Sequence, residues 1–429
     1  MRLVQELGRD DQPKMPVSGM AIKPKQQRLN EVRVLMYSHD TFGLGHLRRC
    51  RTIAHSLVEN FKGVHVLIIS GSQIAGAFDF KARVDFVKIP SVIKLYNGEY
   101  TSISKHIDIH ETLNWRKAII QSTAESFDPD ILIVDKEPIG LRGELLPTLH
   151  LLKNRGCRLI LGLREVMDEA TALHREWARH DVMAHVKTYF DDIWIYGPKG
   201  FYNPLAGLPL PAKIMNRLSY TGFLRREISQ EKLTGIEDLP DDYILVTTGG
   251  GGDGAPLFKA VLAAHALDWE HRKNLLIVLG PFMLTKDRED IRRIATGLSQ
   301  VTIIDFHNRH EVLMARASAV VSMAGYNTFC EILSLNKRAL LVPRVKPRQE
   351  QMIRAQRAAA LGLVDVLLPE EADNPVVLAR QLRHLTMRAL PHDCGAGPML
   401  DGLGRICDLM RETFAQSGHN DVFVPPAAE

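Results

Sequence analysis

The sequence predicts an α/β fold with two doubly wound, Rossmann-like domains that face each other across a cleft. At 429 residues the chain exceeds the size at which one hydrophobic core usually stops growing. Short apolar runs rich in β-branched residues, which suit strands buried in a parallel sheet, alternate with helix-compatible stretches. This alternation breaks between Tyr196 and Asp242, where a Pro/Gly-rich stretch is followed by a polar one.

The apolar runs predict a parallel sheet on each side of the break. Before it they begin at Val32, Val64, Val84, Asp130, Cys157 and Asp192; after it they begin at Tyr243, Asn274, Val301, Ala319, Arg338 and Leu363. We therefore expect a polar tail (1–29), a first domain (30–222), a linker (223–240), a second domain (241–400) and a C-terminal helix and tail (401–429). Because open α/β sheets bind ligands at the carboxyl ends of their strands, residues that follow the strands are the candidates for function.

Composition excludes several classes of protein. The net charge of +4 gives no strong nucleic-acid footprint, so we expect no nucleic-acid partner. The five cysteines are scattered without a CxxC pair, which argues against zinc sites and disulfides and favours a reducing cytoplasm. The first 30 residues lack the apolar core of a signal peptide, and no uncharged apolar run reaches the roughly 18 residues of a transmembrane helix.

The loop after the first predicted strand carries a candidate general base. Gly43 and Gly45 let the chain turn sharply into the next helix, which places His46 in the first turn of that helix. A histidine there can accept a proton at the cleft, because its ordinary pKa lies near neutrality. The alternative is a plain helix start with a surface histidine; the position at a strand end favours function.

A glycine run follows the strand that begins at Tyr243 and predicts a diphosphate site. It comprises Gly249, Gly250, Gly251, Gly252, Asp253 and Gly254. Consecutive backbone N–H groups in such a run converge on an anion, and the N-terminus of the next helix adds positive partial charge. No Walker A lysine follows and the GxGxxG spacing is missing. A flexible turn is the alternative.

The segment from Ser322 to Gln351 has the densest set of polar residues at strand ends. Glu331 lies on the helix after the first polar loop, where a carboxylate can accept two hydrogen bonds from a ribose diol. A second loop leads to Glu350 and Gln351, which suit sugar hydroxyls. Each residue alone could be a solvated helix residue or a helix cap, but together they predict a nucleotide-sugar site.

This segment resembles the donor-binding region of the GT-B glycosyltransferases related to MurG, of the family 28 type. That family has Gly-x-x-Thr-x-x-Glu, then Val-Pro and a pair of glutamines. The matching residues here are Gly325, Thr328, Glu331, Val342, Pro343, Glu350 and Gln351. The resemblance implies the GT-B architecture, with the donor bound mainly by the second domain and the acceptor by the first.

The resemblance also implies roles for single residues. Glu331 would hold the ribose, the stretch Gly325, Tyr326, Asn327 and Thr328 would lie along the phosphates, and Glu350 with Gln351 would face the sugar. The glycine run resembles the family's phosphate loop, and Phe306 the position against the base. Two departures, Glu350 for the first glutamine and Arg354 for the following asparagine, leave the donor sugar open.

The first loop points to a second family. Gly43, Gly45, His46, Arg49 and Cys50 resemble the Gly-x-Gly-His-x-x-Arg-Cys stretch of the nucleotide-sugar hydrolase of pseudaminic acid synthesis, whose histidine activates water. Transfer to a hydroxyl and hydrolysis therefore both remain open. An epimerase and a non-catalytic sugar-nucleotide sensor are further alternatives.

The sequence as a whole predicts a glycosyltransferase that moves a hexosyl or N-acetylhexosaminyl group, from a donor that is UDP-linked, by inverting displacement without metal or cofactor. The acceptor would be a sugar or lipid-linked hydroxyl in polysaccharide biosynthesis. The candidates to contact the acceptor or support His46 are Gly43, Gly45, Arg49, Glu137 and Arg164. Asp135, Lys136 and Glu165 lie at the same strand ends, and for the charged residues there the favoured alternative is ordinary charge on surface loops.

Two weaker signals concern metal and membrane. Asp128-Pro-Asp130 matches a metal-binding DxD formally, but it precedes a strand, so we interpret it as a helix stop. The apolar, basic stretch from Tyr202 to Arg217 fits either peripheral contact at the inner face of a membrane or a packed interdomain loop, and we favour the loop.

Overall fold

A computed structural model describes residues 31–39, 45–94, 100–103, 106–228, 239–267 and 273–417. In the first half of the chain the strands are β1 (Val32–Ser38), β2 (Val64–Ser70), β3 (Val84–Lys88), β4 (Val92–Lys94), β5 (Tyr100–Ser102), β6 (Ile131–Asp135), β7 (Arg158–Arg164), β8 (Asp192–Tyr196) and β9 (Leu218–Tyr220). The helices of this half are α1 (Gly45–Asn60), α2 (Ile109–Phe127), α3 (Leu146–Asn154), α4 (Ala170–Arg179), α5 (Val182–Tyr189) and α6 (Ala212–Met215).

In the second half the strands are β10 (Tyr243–Thr247), β11 (Asn274–Val278), β12 (Val301–Ile304), β13 (Ala319–Ser322), β14 (Ala339–Leu341) and β15 (Asp365–Val366). The helices are α7 (Ala255–Leu267), α8 (Thr285–Ala295), α9 (His310–Arg316), α10 (Tyr326–Ser334), α11 (Glu350–Ala360), α12 (Pro369–Ala372), α13 (Pro375–Leu385) and α14 (Gly402–Gln416). All twelve apolar runs identified in the sequence contain a strand.

Two parallel sheets confirm the predicted α/β fold with two Rossmann-like domains. The first has the order β3-β2-β1-β6-β7-β8-β9 and the second β12-β11-β10-β13-β14-β15. In both, the strand order reverses beside the first strand, between β1 and β6 and between β10 and β13. Such a switch point opens a crevice at the carboxyl ends of the strands, so each domain offers one ligand site there.

The two domains share a hydrophobic core at their junction. Phe223, in the segment after β9, lies 5.1 Å from the ring of Phe201 and 5.3 Å from the ring of Phe329 on α10. These rings are almost fully buried, so the apolar contact fixes how the switch points face each other.

Helix α14 follows the second domain in sequence but packs on the first. The rings of Phe414 and Phe61 are 5.0 Å apart at right angles, and Ser56 on α1 lies within hydrogen-bond reach of Cys407. The chain thus crosses from one domain to the other twice, once near Phe223 and once near Met399 to Gly402, and these two segments contact each other. The amide of Phe223 donates to Met399, and the amide of Gly402 donates to Phe223.

Candidate functional site

His46 and Asp135 meet at the switch point of the first sheet. His46 lies in the first turn of α1, directly after β1, and Asp135 is the last residue of β6. Strands β1 and β6 pair in register with Ser38 opposite Asp135, which brings the carboxylate to the start of α1. The distance from His46 Nδ1 to Asp135 Oδ2 is 2.5 Å.

Arg49, one turn further along α1, fixes this pair. Its Nε donates to Asp135 Oδ1 over 2.7 Å and its Nη2 to Oδ2 over 2.5 Å, a bidentate arrangement. Burial alone would raise the pKa of Asp135, but Arg49 and His46 lower it far below its ordinary value. An ionised Asp135 accepts the Nδ1 proton of His46, and the lone pair of Nε2 is then available as a base.

The imidazole of His46 is neutral at physiological pH. Burial lowers its pKa to about 4, with Arg49 acting in the same direction and Asp135 opposing. This is the protonation state that a general base requires. The alternative of an ordinary surface histidine is therefore wrong, because the ring is partly buried and bonded to a carboxylate.

A buried polar network lies next to the His46–Asp135 pair, at the end of β1. The ring of His39, at the end of β1, contacts the His46 ring edge-on with centroids 5.8 Å apart. Tyr37 lies 3.2 Å from His39 Nδ1 and also donates to Glu144, which Arg116 holds through two 2.7 Å hydrogen bonds. No local pattern in the sequence predicted this network, because its members come from β1, α2 and the segment before α3.

The other first-domain candidates lie around the same crevice. Glu137 accepts a 2.7 Å hydrogen bond from Lys136, which the chain places in the left-handed region at φ +72°. Gly45 begins α1, and its carbonyl accepts from Asn327 of the second domain over 3.0 Å. Gly43 lies outside the described residues.

The glycine run forms a loop between β10 and α7. Gly249 and Gly251 have φ values of +71° and +86°, which favour glycine, and a Cβ on Gly251 would lie 2.1 Å from the carbonyl oxygen of Leu279. Asp253 pairs with Arg344 at 2.8 Å. A Cβ on Gly249 would lie 3.7 Å from Thr328 Oγ1, so the run is next to the start of α10.

Helix α10 begins beside this loop because β10 and β13 pair directly. Its N-cap, Gly325, offers no side chain to the first backbone N–H groups. The N-termini of α7 and α10 therefore lie at one crevice, with their partial positive charges suited to an anion. Two residues in the first turn of α10 have other partners. Arg226 donates to Asn327 Oδ1 over 2.7 Å, and the guanidinium carbon of Arg49 lies 5.4 Å from the centroid of the Tyr326 ring.

Glu331 is fully buried, so the alternative of a solvated helix residue is wrong. In this structure its carboxylate forms an ion pair with Arg48 of α1 and lies 3.4 Å from His310 Nδ1. Burial alone would raise its pKa, but Arg48 and His310 lower it to about 2. The carboxylate that the sequence predicts to bind the ribose is therefore paired with Arg48 in this structure.

Glu350 and Gln351 begin α11 and are both nearly buried. Arg344 donates from Nη2 to Glu350 Oε1 over 2.8 Å, and its backbone amide donates to Gln351 Oε1 over 3.1 Å. Phe306 lies after β12, where its ring contacts Phe78 of the first domain edge-on at 6.5 Å. Phe306 therefore lies at the interface between the two halves, whereas Glu350 and Gln351 bond to Arg344 of their own domain.

Arg354, one of the two departures from the family pattern, crosses the cleft. Its Nε donates to Glu165 at the end of β7 over 2.5 Å, and its Nη1 donates to the carbonyl of Ala324 over 2.8 Å. Both side chains of the ion pair are fully buried. The Nη2 of Arg354 and the Nε of the neighbouring Arg164 are both buried without a hydrogen-bond partner.

The metal and membrane signals have structural explanations. Asp128 ends α2 in the left-handed region, and Asp130 accepts from the amide of Arg33 over 2.8 Å. Across the described ranges, no cluster of three or more His, Cys, Asp or Glu residues is arranged to bind a metal ion. In the stretch from Tyr202, Leu205 and Ile214 are buried in the first domain. No helix in the described part of the chain is long and apolar enough to span a membrane.

Residues 243–392 match the glycosyltransferase family 28 C-terminal domain. No curated protein matches the chain in sequence. The fold resembles that of Acinetobacter baumannii MurG (TM-score 0.55, 13% identity, 89% of this chain and 99% of that one) and of the calicheamicin glycosyltransferase CalG4 (TM-score 0.56, 15% identity, 90% and 99%). It also resembles a putative UDP-N-acetylglucosamine 2-epimerase from Listeria monocytogenes (TM-score 0.61, 15% identity, 92% and 100%).

Proposed function

We propose that this chain, which contains a glycosyltransferase family 28 C-terminal domain within a two-domain GT-B fold, transfers a hexosyl or N-acetylhexosaminyl group from a UDP-linked donor to a hydroxyl acceptor, a sugar or lipid-linked sugar. The reaction we propose is a direct, inverting displacement without a metal ion. One observation carries the proposal: the His46–Asp135 pair and the glycine run lie at the two switch points, where the starts of α1 and α10 are in contact through Asn327 with Gly45 and Arg48 with Glu331.

The chemistry follows from the placement of these groups. The acceptor hydroxyl gives its proton to His46 Nε2 as its oxygen bonds to the anomeric carbon, and the bond from that carbon to the diphosphate oxygen breaks. The departing diphosphate takes the electron pair. Backbone N–H groups of the glycine run and the N-termini of α7 and α10 stabilise its charge. Asp135 stabilises the imidazolium that forms.

Hydrolysis of the nucleotide-sugar is the second candidate, because the stretch from Gly43 to Cys50 matches the hydrolase pattern. The same pair would then activate water instead of a hydroxyl. An epimerase neighbour shares the fold, but a likeness of fold alone does not decide between chemistries.

The test is to incubate the protein with UDP-linked sugars, with and without candidate acceptors, and to measure UDP, free sugar and sugar isomers. We expect UDP release that depends on an acceptor. Rapid, stoichiometric free sugar without acceptor would instead establish hydrolysis, and a new UDP-sugar isomer would establish epimerisation. Binding of a UDP-sugar without turnover under any condition would indicate a non-catalytic sensor.

The base is tested with His46→Ala. We expect a loss in turnover of about 100-fold to 10,000-fold, the usual contribution of a general base, with the affinity for UDP retained. Unchanged turnover would contradict the assignment of His46.

A further inference from the structure

Arg164, the last residue of β7, differs from the other arginines that line the cleft. Three of these bond directly to a carboxylate: Arg49 to Asp135, Arg344 to Glu350, and Arg354 to Glu165. Arg164 bonds to no carboxylate among the described residues, and its Nε is buried without a hydrogen-bond partner. Arg344 Nε and Arg354 Nη2 are also unbonded, but a carboxylate holds each of those side chains. Leaving a charged donor unbonded in this way is unfavourable, and such sites often hold a ligand.

A complementary group approaches from the second domain. Glu350 is 4% exposed; its Oε1 accepts from Arg344, whereas its Oε2 is buried with no partner. The start of α11 contacts the end of β7: Arg354, one turn after Glu350, bonds Glu165, the residue after Arg164, and the amide of Gln349 donates to Asp168 over 2.8 Å. An unbonded donor and an unbonded acceptor therefore belong to the same contact between the two domains.

This region lies between the proposed base and the proposed donor site. On one side is the His46–Asp135 pair, because β6, which ends at Asp135, pairs directly with β7, which ends at Arg164. On the other side is α11, which begins at Glu350. A sugar whose anomeric carbon is next to His46 and whose diphosphate reaches the glycine run would pass through it.

We propose that Arg164 recognises the donor sugar together with Glu350: one ring hydroxyl accepts a hydrogen bond from Arg164 and donates one to Glu350 Oε2. This inference rests on the proposed function. A hydroxyl both donates and accepts, so it satisfies both atoms at once. Arg164 and Arg354 balance the charges of Glu350 and Glu165, so a carboxylate or an ammonium on the sugar would add a charge that this set does not compensate. The site therefore selects a neutral sugar ring.

The experiment measures the dissociation constants of UDP and of the tightest-binding member of a UDP-glucose, UDP-galactose and UDP-N-acetylglucosamine panel by calorimetry. The variants are Arg164→Met, Glu350→Gln and the double variant. Arg179→Met, at the exposed end of α4, is the matched control. Arg164→Lys keeps the charge, and melting temperatures establish that every variant is folded.

UDP has no sugar, so its affinity should stay within about twofold in all variants. Affinity for the UDP-sugar should fall on the order of tenfold to a hundredfold in each single variant, as expected for a lost hydrogen bond to a charged group. The double variant should bind no worse than the weaker single variant, since both changes break the same bridge. The control should match the wild type, and the lysine variant should lie between.

Unchanged UDP-sugar affinity in Arg164→Met, or additive losses in the double variant, would overturn the inference and leave the proposed function standing. Tighter binding of UDP-glucuronate than of UDP-glucose, lost in Arg164→Met, would show an anion site instead. If the wild type binds no UDP, dTDP or GDP sugar at all, the proposed function itself is wrong.

Discussion

At the scale of single residues, the site is built from buried charged groups that bond to one another. His46 bonds Asp135, and Arg49 holds the same carboxylate through two hydrogen bonds. Because burial destabilises an unpaired charge, Asp135 stays ionised beside Arg49 and accepts the proton of His46 Nδ1. Nε2 of His46 is then the unprotonated nitrogen. The consequences appear in the pH dependence and in the stability of the protein.

The first prediction concerns pH. Only neutral His46 can act as a base, and its pKa is lowered to about 4 in the folded protein, so activity should fall as the pH drops through about 4. It should stay flat through pH 6.5, where an ordinary histidine would become protonated. The measurement is kcat/KM against pH, with circular dichroism to establish folding at each point. An acidic limb between pH 6 and 7 would contradict the role of the buried imidazole.

The second prediction concerns Asp135→Asn. The change leaves Arg49 buried without its carboxylate and removes the anchor of the His46 tautomer, so we expect a loss of about 3–5 kcal/mol in the free energy of unfolding. Denaturant unfolding measures this. Asp192→Asn is the control, because Asp192 and its partner Arg158 are partly exposed and such pairs contribute about 1 kcal/mol or less. Equal losses in the free energy of unfolding in both variants would contradict the prediction that the buried Asp135 stabilises the protein more than the partly exposed Asp192.

At the scale of elements, α1 carries residues that serve both domains. His46 and Arg49 belong to the first-domain pair, whereas Arg48 bonds Glu331 on α10. A ribose diol that binds Glu331 has to replace Arg48. If the proposed nucleotide binds at Glu331, its binding and the position of α1 would be linked through this one carboxylate.

The third prediction follows from that competition. Arg48→Gln removes the side chain that occupies Glu331, so UDP should bind several-fold more tightly than to the wild type. Glu331→Gln removes the shared acceptor and should weaken UDP binding. Calorimetric titration with UDP measures both variants. Weaker binding in Arg48→Gln would mean that Arg48 contacts the nucleotide itself.

The sequence predicted the elements better than their contacts. Long β-branched runs such as the one from Val32 identified the buried strands, but β9, with three residues, and the hairpin of β4 and β5 are too short for a periodic signal. Arg354 stood out only as a departure from a pattern. Its partner, Glu165, is 189 residues away, and such a pairing appears only once both domains are folded against each other.

Motif reasoning was more successful within a domain than between domains. The glycine run and the start of α10 are neighbours because β10 and β13 pair, which follows from doubly wound topology. The pairing of Arg48 with Glu331 depends on the relative orientation of the two sheets, and no local pattern encodes that orientation.

At the scale of the whole molecule, α14 joins the end of the chain to the first domain. Phe414 is 4% exposed and packs on Phe61 at the end of α1. The fourth prediction is that Phe414→Ala lowers the free energy of unfolding by about 3–5 kcal/mol. It should also raise hydrogen exchange in α1 peptides, although α1 is more than 300 positions earlier in sequence.

Leu361→Ala is the control for this prediction, because Leu361 is 37% exposed and lies in the second domain. We expect a change of about 0.5 kcal/mol or less, as for most surface substitutions. If Phe414→Ala left exchange in α1 unchanged, α14 would not stabilise the first domain.

The two passages between the domains lie side by side, with Leu224 and Asp401 bridged as in an antiparallel pair. Two adjacent segments of chain resist sliding and twisting of one domain against the other, so a movement that broke the apolar contact at the junction would have to be a rotation about the line that they define. Opening therefore widens the cleft most at the edge farthest from this line. A donor or acceptor too large for the closed cleft would enter there, opposite the double passage, and leave by the same route.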